Sequence, residues 1–432
     1  MDGLRKMRWL GGILAIVGIF ALVGVRPALA SRGRRYHHRH RRFVRHHVIV
    51  APLYHAEVLE DADSGAVLYA KNPNLRWPPA SMAKMMLLLV ATDQIRAGRV
   101  SLNDPVRVSE RAAATGGSRL GIRAGQVYPL RELMKAALIR SANDAAVAVA
   151  EKIGGSVEAT VRMMNAKARA LGMDNTYYGT VEGLPPRPGH DVDYTTPLDL
   201  ARLARAVIHH TDLLTWSSMQ TAEFDGVVMM HNTNRLVGHF EGCDGLKTGF
   251  TYKAGFNLTA TARRGDMRLI SVILGAPSNS ERFVQSARLL TWGFDNFKKV
   301  QVLRRGQPLP VEVRVQAGRV VQPIAESDIS LVIPKAQTAG VTLEYSVPPV
   351  IDRPLAYGDP VGQIIVMDGG EVMTRVDAIC PVGVGEPPHE LGAATTTAGG
   401  TIPIAAVPSG QASGAAGIAT VPVSENSIQV TK

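Results

Sequence analysis

The stretch from Asp244 to Gly275 reads DGLKTGFTYKAGFNLTATARRGDMRLISVILG. Three β-prone runs stand out in it: Gly245 to Phe250, Phe256 to Ala262 and Met267 to Gly275. They are separated by Lys253-Ala254-Gly255 and Arg264-Gly265-Asp266, which supply turn residues. The run lengths and turn chemistry predict an antiparallel meander. The segment from Ser280 to Phe297 predicts a helix that closes the unit.

Working outward, Ala56 to Tyr69 reads strand, Asp-Ala-Asp-Ser-Gly turn, strand. Met82 to Ile95 is apolar nearly all round at its start, the pattern of a helix buried in a core. Further helices are expected at Arg131 to Arg140, Ala145 to Ile153, Val157 to Leu171 and Leu198 to Ile208. A Pro/Gly-rich loop, Gly183 to His190, interrupts them. After Lys299 short Val/Ile-rich runs alternate with turns, and Asp368-Gly369-Gly370 signals a hairpin. From about Gly385 the chain is rich in Ala, Gly, Thr, Ser and Pro, and is expected to remain disordered. The fold class expected is α/β (α+β): an antiparallel sheet flanked by helices, followed by a small all-β domain. The expected domains are 51–298 and 299–382, with a tail over 383–432.

The formal net charge of +11 is carried by the N-terminal region. Residues 31–50 hold seven arginines and no acid, and residues 1–30 add a smaller positive excess. The rest is nearly neutral, which argues against a nucleic-acid partner. Residues 1–30 have the form of a signal peptide: Arg5, Lys6 and Arg8, then apolar Trp9 to Val25, then Ala28-Leu29-Ala30. An uncleaved membrane anchor is the other reading, and either implies export to the periplasm or the outer face of the membrane. The basic His/Arg-rich stretch over 31–50 is expected to be disordered, with contact to an anionic wall or membrane surface as the sharper reading. The interspersed arginines disfavour a metal site there. Neither Cys243 nor Cys380 sits in a zinc or nucleophile pattern, and separate thiols are expected. No metal or cofactor is called for.

Three short strings carry the chemistry: Ser81-Met82-Ala83-Lys84, Ser141-Ala142-Asn143 and Lys247-Thr248-Gly249. A serine hydroxyl needs a base to become a nucleophile. Lys84, three residues along a helix, shares a face with Ser81 and serves once burial or a neighbouring cation such as Lys247 makes it neutral. Ser141 would relay a proton, and Asn143 would hold the substrate peptide. Gly249, on an edge strand, would let an extended peptide approach, with Lys247 and Thr248 receiving its carboxylate. The backbone amides of Ser81 and Phe250 are the expected oxyanion donors.

S-x-x-K, S-x-N and K-T-G in this order resemble the set found in penicillin-binding proteins and class A β-lactamases. The resemblance extends to Lys253-Ala254-Gly255-Phe256-Asn257-Leu258, Leu289-Leu290-Thr291-Trp292-Gly293-Phe294 and Pro354-Leu355-Ala356-Tyr357-Gly358-Asp359-Pro360-Val361-Gly362. Over roughly residues 51–382 the chain resembles the low-molecular-mass penicillin-binding proteins of the D-alanyl-D-alanine carboxypeptidase type. That resemblance implies a penicillin-binding/β-lactamase-like catalytic domain. It also implies a serine peptidase acting on peptidoglycan stem peptides that end in D-Ala-D-Ala, and β-lactams as inhibitors. It places a carboxylate-binding arginine at Arg282. Two features depart from the family: the tail lacks a periodic apolar helix, and the basic N-terminal stretch is foreign to it. A class A-like β-lactamase would want S-D-N and a deacylating glutamate, whereas here the second string is S-A-N and Glu182 lies in Val-Glu-Gly-Leu. A non-catalytic wall-binding relative is disfavoured by the intact Ser81, Lys84, Ser141, Asn143 and Lys247.

Overall fold

The structure, a computed structural model, describes residues 54–185, 192–336, 340–383 and 418–422. The expectations for the signal segment and the basic stretch fall outside these residues. The first layers are built from β1 (Ala56–Asp61), β2 (Val67–Lys71), α1 (Ala83–Arg96), β3 (Pro105–Arg107), α2 (Glu110–Ala113), β4 (Val127–Pro129), α3 (Leu130–Ile139), α4 (Asn143–Gly154), α5 (Val157–Ala170), α6 (Pro197–His210) and α7 (Leu213–Ser217). There follow β5 (Thr221–Phe224), β6 (Val228–His231), β7 (Cys243–Thr251), β8 (Gly255–Arg264), β9 (Met267–Ala276) and α8 (Asn279–Asn296).

Local chemistry starts and stops the helices. Ser109, Ser156, Thr196 and Ser278 each accept a backbone N–H in the first turn of α2, α5, α6 and α8. Pro197 adds a fixed φ at the start of α6. Gly155, at φ +77°, ends α4 in the left-handed region.

The central sheet runs β2-β1-β9-β8-β7 and is antiparallel throughout, with the K-T-G strand β7 at one edge. Its two faces follow the period of two along each strand. In β9, Ile270, Val272 and Leu274 join the core with α1 and α3 to α6, whereas Leu269 and Ile273 join the core with α8. Ser271 points the same way as the latter and meets Ser286 of α8 at 2.5 Å. The meander, both flanking helix layers and the expected fold class are all present. Four short strands, β3 to β6, and the short helices α2 and α7 were not anticipated. Each spans five residues or fewer, too short to show a period.

The second unit is all-β: β10 (Phe297–Leu303), β11 (Val313–Val315), β12 (Val320–Val321), β13 (Ile324–Ala325), β14 (Ile329–Pro334), β15 (Val341–Ser346), β16 (Val350–Ile351), β17 (Pro360–Asp368), β18 (Glu371–Ile379) and β19 (Ile418–Pro422). It has its own core, including Leu331, Leu343, Tyr345, Ile364 and Val366. Gly369 and Gly370, both at positive φ, turn β17 into β18. β10 starts at Phe297, two residues before the boundary expected at 299. Within the tail, Ile418–Pro422 pairs antiparallel with β15. The rest of 384–432 lies outside the described residues. Cys243 and Cys380 are buried, separate thiols.

Candidate active site

Ser81 lies in a single 3-10 turn, Ala80–Met82, that runs directly into α1. Ala80 sits at φ +51°, which re-aims the chain just before the serine. The segment is held from outside. Trp77 Nε1 donates to the Ala254 carbonyl at 2.7 Å, and Asn257 of β8 donates to the Pro78 carbonyl at 2.9 Å. β7 presses on it from the sheet edge. A Cβ on Gly249 would lie 2.6 Å from the Pro79 carbonyl oxygen and 3.2 Å from Ala80 Cβ. Gly249 therefore admits the close approach of the serine segment to β7. On the other side Gly183, at φ +79°, fits against the Ala80 carbonyl where no side chain could.

Lys84 is fully buried one helical turn below Ser81, with Nζ 3.0 Å from Ser81 Oγ. Nζ also donates to Asn143 Oδ1 at 2.7 Å and to the Glu182 carbonyl at 2.8 Å. Those two oxygens can only accept. A neutral amine satisfies all three contacts, with two N–H groups donated and its lone pair facing the serine hydroxyl. Burial pushes the Lys84 ammonium down from 10.5 to about 7, although Glu182, Asp144 and Asp193 pull the other way. Of the two causes weighed from the sequence, burial is the effective one.

Ser141 adopts φ +64° in the turn between α3 and α4, unusual for a residue with a side chain. The turn points its hydroxyl at Lys247, whose Nζ donates to Ser141 Oγ at 2.8 Å and to the Thr248 carbonyl at 2.9 Å. Lys247 is also fully buried. Burial first, then Lys84 and Arg282, hold its ammonium well below the usual lysine range. Thr248 donates its hydroxyl to Thr233 at 2.8 Å. The exposed Phe250 ring stacks on Phe256, and its backbone follows the Gly249 contact with the serine segment.

Asn143 and Arg282, both expected at the substrate, make protein contacts. Asn143 turns its carboxamide oxygen to Lys84 and donates Nδ2 to the Gly116 carbonyl at 2.7 Å, so it positions the amine. Arg282 is only 7% exposed. Its Nη1 is shared between the carbonyls of Gly249 and Asn257, at 3.1 and 3.2 Å, and its guanidinium lies between Phe256 and Phe283. It ties α8 to β7 and β8. The sequence also gave no warning of Asp144. Its buried carboxylate accepts backbone N–H groups from Leu120, Gly121 and Ile122, tying that loop to α4. An aspartate in a first helical turn reads from sequence only as a helix start. A cavity of about 240 Å³ opens beside the serine turn, lined among others by Pro78, Ala80, Leu184, Asp193 and Lys253.

The family pattern described as D-alanyl-D-alanine carboxypeptidase matches residues 52–278. The chain belongs to the D-alanyl-D-alanine carboxypeptidase family. It is accordingly a serine-type peptidase, a hydrolase. The pattern for the C-terminal domain of penicillin-binding protein 5 matches residues 297–386. A curated relative, D-alanyl-D-alanine carboxypeptidase DacF of Bacillus subtilis, is 34% identical over 325 residues, covering 74% of this chain and 82% of its own. Penicillin-binding protein 5 of Haemophilus influenzae superposes with a TM-score of 0.69 at 31% identity, covering 77% of this chain and 98% of its own. Penicillin-binding protein D2 of Listeria monocytogenes, solved in an ampicillin-bound form, gives a TM-score of 0.53 at 29% identity. It covers 57% of this chain and 99% of its own.

Proposed function

We propose that the chain removes the terminal D-alanine from peptidoglycan stem pentapeptides through an acyl-enzyme on Ser81. One observation carries the reading. Lys84 is sealed from water, held by two acceptor oxygens, and aims its remaining valence at Ser81 Oγ. In the first step Lys84 takes the hydroxyl proton while Oγ bonds to the carbonyl carbon of the penultimate D-alanine. The developing oxyanion is stabilised by the backbone amides of Ser81 and Phe250. As the C–N bond breaks, Ser141 passes a proton to the departing D-alanine nitrogen, drawing on Lys247 and Lys84. Lys247 and Thr248 hold the terminal carboxylate, which orients the scissile carbonyl. Water then attacks the ester and returns the proton to Ser81. A β-lactam would acylate the same serine, a reading supported by the ampicillin-bound relative.

The activity belongs to cell-wall biogenesis, with export directed by residues 1–30 and wall or membrane contact through Ser31 to His47. The test is a labelled β-lactam: its mass should add once to the protein and map to the peptide containing Ser81. An adduct on Ser141, or full labelling of Ser81→Ala, would sink the assignment. D-alanine release from a pentapeptide should fall sharply when its carboxyl terminus is amidated. Equal rates on both peptides would remove the carboxylate anchor.

A further inference from the structure

A second feature lies at the opposite edge of the sheet. The strand order places β2 and β7 at its two edges, about 19 Å apart by strand spacing. Beside β1 and β2, an open groove of about 790 Å³ runs against the outer face of α8. Gln285, Arg288, Trp292 and Asn296 recur three and four residues apart and line it as one stripe. The sheet side contributes Tyr54, Glu57 and Tyr69. Tyr69 and Trp292 each remain 39% exposed and meet edge to face, with centroids 5.8 Å apart.

The Tyr54 ring is held in place from below. Glu57, nearly fully buried, accepts the Tyr54 hydroxyl at 2.7 Å. Lys71 lies 4.6 Å over the Tyr54 ring and donates to the Tyr54 carbonyl at 3.1 Å. Burying the carboxylate that holds the Tyr54 hydroxyl costs desolvation, visible in its raised pKa. Tyr54 packs against the core beside α8, whereas Tyr69 and Trp292 keep exposed surface above it. Exposed ring faces with amide and guanidinium groups at the rim suit a ligand with flat C–H faces and a hydroxyl- and amide-bearing periphery. A lipid or an apolar peptide would leave that polar rim unpaired.

We propose that this groove binds the N-acetylated hexosamine backbone of the polymer whose stem peptides reach Ser81. The polymer's identity rests on the carboxypeptidase reading, but sugar binding is measured without catalysis. The full chain is titrated with a β-1,4-linked N-acetylglucosamine tetramer and with glycan strands stripped of peptide, by calorimetry and tryptophan fluorescence. Saturable binding with altered Trp292 emission is expected. Tyr69→Ala and Arg288→Ala should each weaken it about tenfold, while Ser81→Ala binds normally. Both groove variants should turn over a soluble pentapeptide within about twofold of the parent, and show a raised KM with unchanged kcat on polymeric peptidoglycan. Melting curves of both variants establish that they fold. No saturable binding of either sugar overturns the proposal. So does self-association that is lost in the same variants without any sugar binding. Sugar binding by a protein that releases no D-alanine would uphold the groove and remove the carboxypeptidase reading.

Discussion

Ser81 and Lys84 were legible as a pair because three residues along a helix bring two side chains to one face, and that geometry is local. The neutrality of Lys84 was expected, but whether burial or the Lys247 charge supplies it was not legible, because burial depends on segments distant in the chain. With its pKa lowered to about 7, Lys84 is neutral above that pH and charged below it. Acylation kcat/KM should therefore rise with pH through about 7, measured by β-lactam labelling rates. The sign for stability follows from the same shift. Between about 7 and 10.5 the unfolded chain holds a proton that the folded chain has lost, so Lys84's contribution to stability grows as pH rises across that window. Asn143→Asp places a carboxylate 2.7 Å from Nζ, at the position of the present amide oxygen. It should raise the Lys84 pKa and move the acid limb up by about 1–3 units. An unmoved limb would remove Lys84 as the titrating base. Arg282→Ala should lower the melting temperature, since it strands two buried carbonyls at about 1–3 kcal/mol each. The preference for a free over an amidated carboxyl terminus should persist in that variant. Its loss would return Arg282 to the carboxylate site.

The meander was visible because its three strands each exceed six residues and are bounded by glycine-containing turns. The short ribbons β3–β4 and β5–β6 were not, because three or four residues show no alternation. The seam between β7 and the serine turn was also invisible, although Gly249 was singled out. The residue that needs the space lies on the far side of a contact between segments about 170 positions apart, Pro79 and Gly249. Gly249→Ala would push a methyl group into the Pro79 carbonyl. Overpacking of this kind costs about 1–3 kcal/mol and should displace the turn that carries Ser81. Labelling should slow by about tenfold or more while the far-ultraviolet circular dichroism spectrum is kept. Normal labelling would mean that the seam can yield without moving the serine.

At the scale of the whole molecule, the helix-and-sheet cores and the β-domain core are largely separate, with Val332 packing across to the former. Residues 51–298 are proposed as a catalytic domain able to act alone, consistent with a solved Listeria chain that matches over 99% of its length but only 57% of this one. The excised 51–298 fragment should label with a β-lactam within about threefold of the parent, with a lower melting temperature from loss of contacts such as Lys299 with Asp63. An unfolded fragment would make the β domain part of one cooperative unit. The sequence by itself determined the order of the long elements of the first part, the two-part architecture and the chemical groups of the site, because periodicity, turn residues and motif spacing are local properties. Only the tertiary structure decided that Lys247 meets Ser141 across 106 positions, that Asn143 serves the lysine, and that Arg282 turns inward. Burial and electrostatic fields are sums over neighbours distant in the chain, and no local pattern records which neighbours those are.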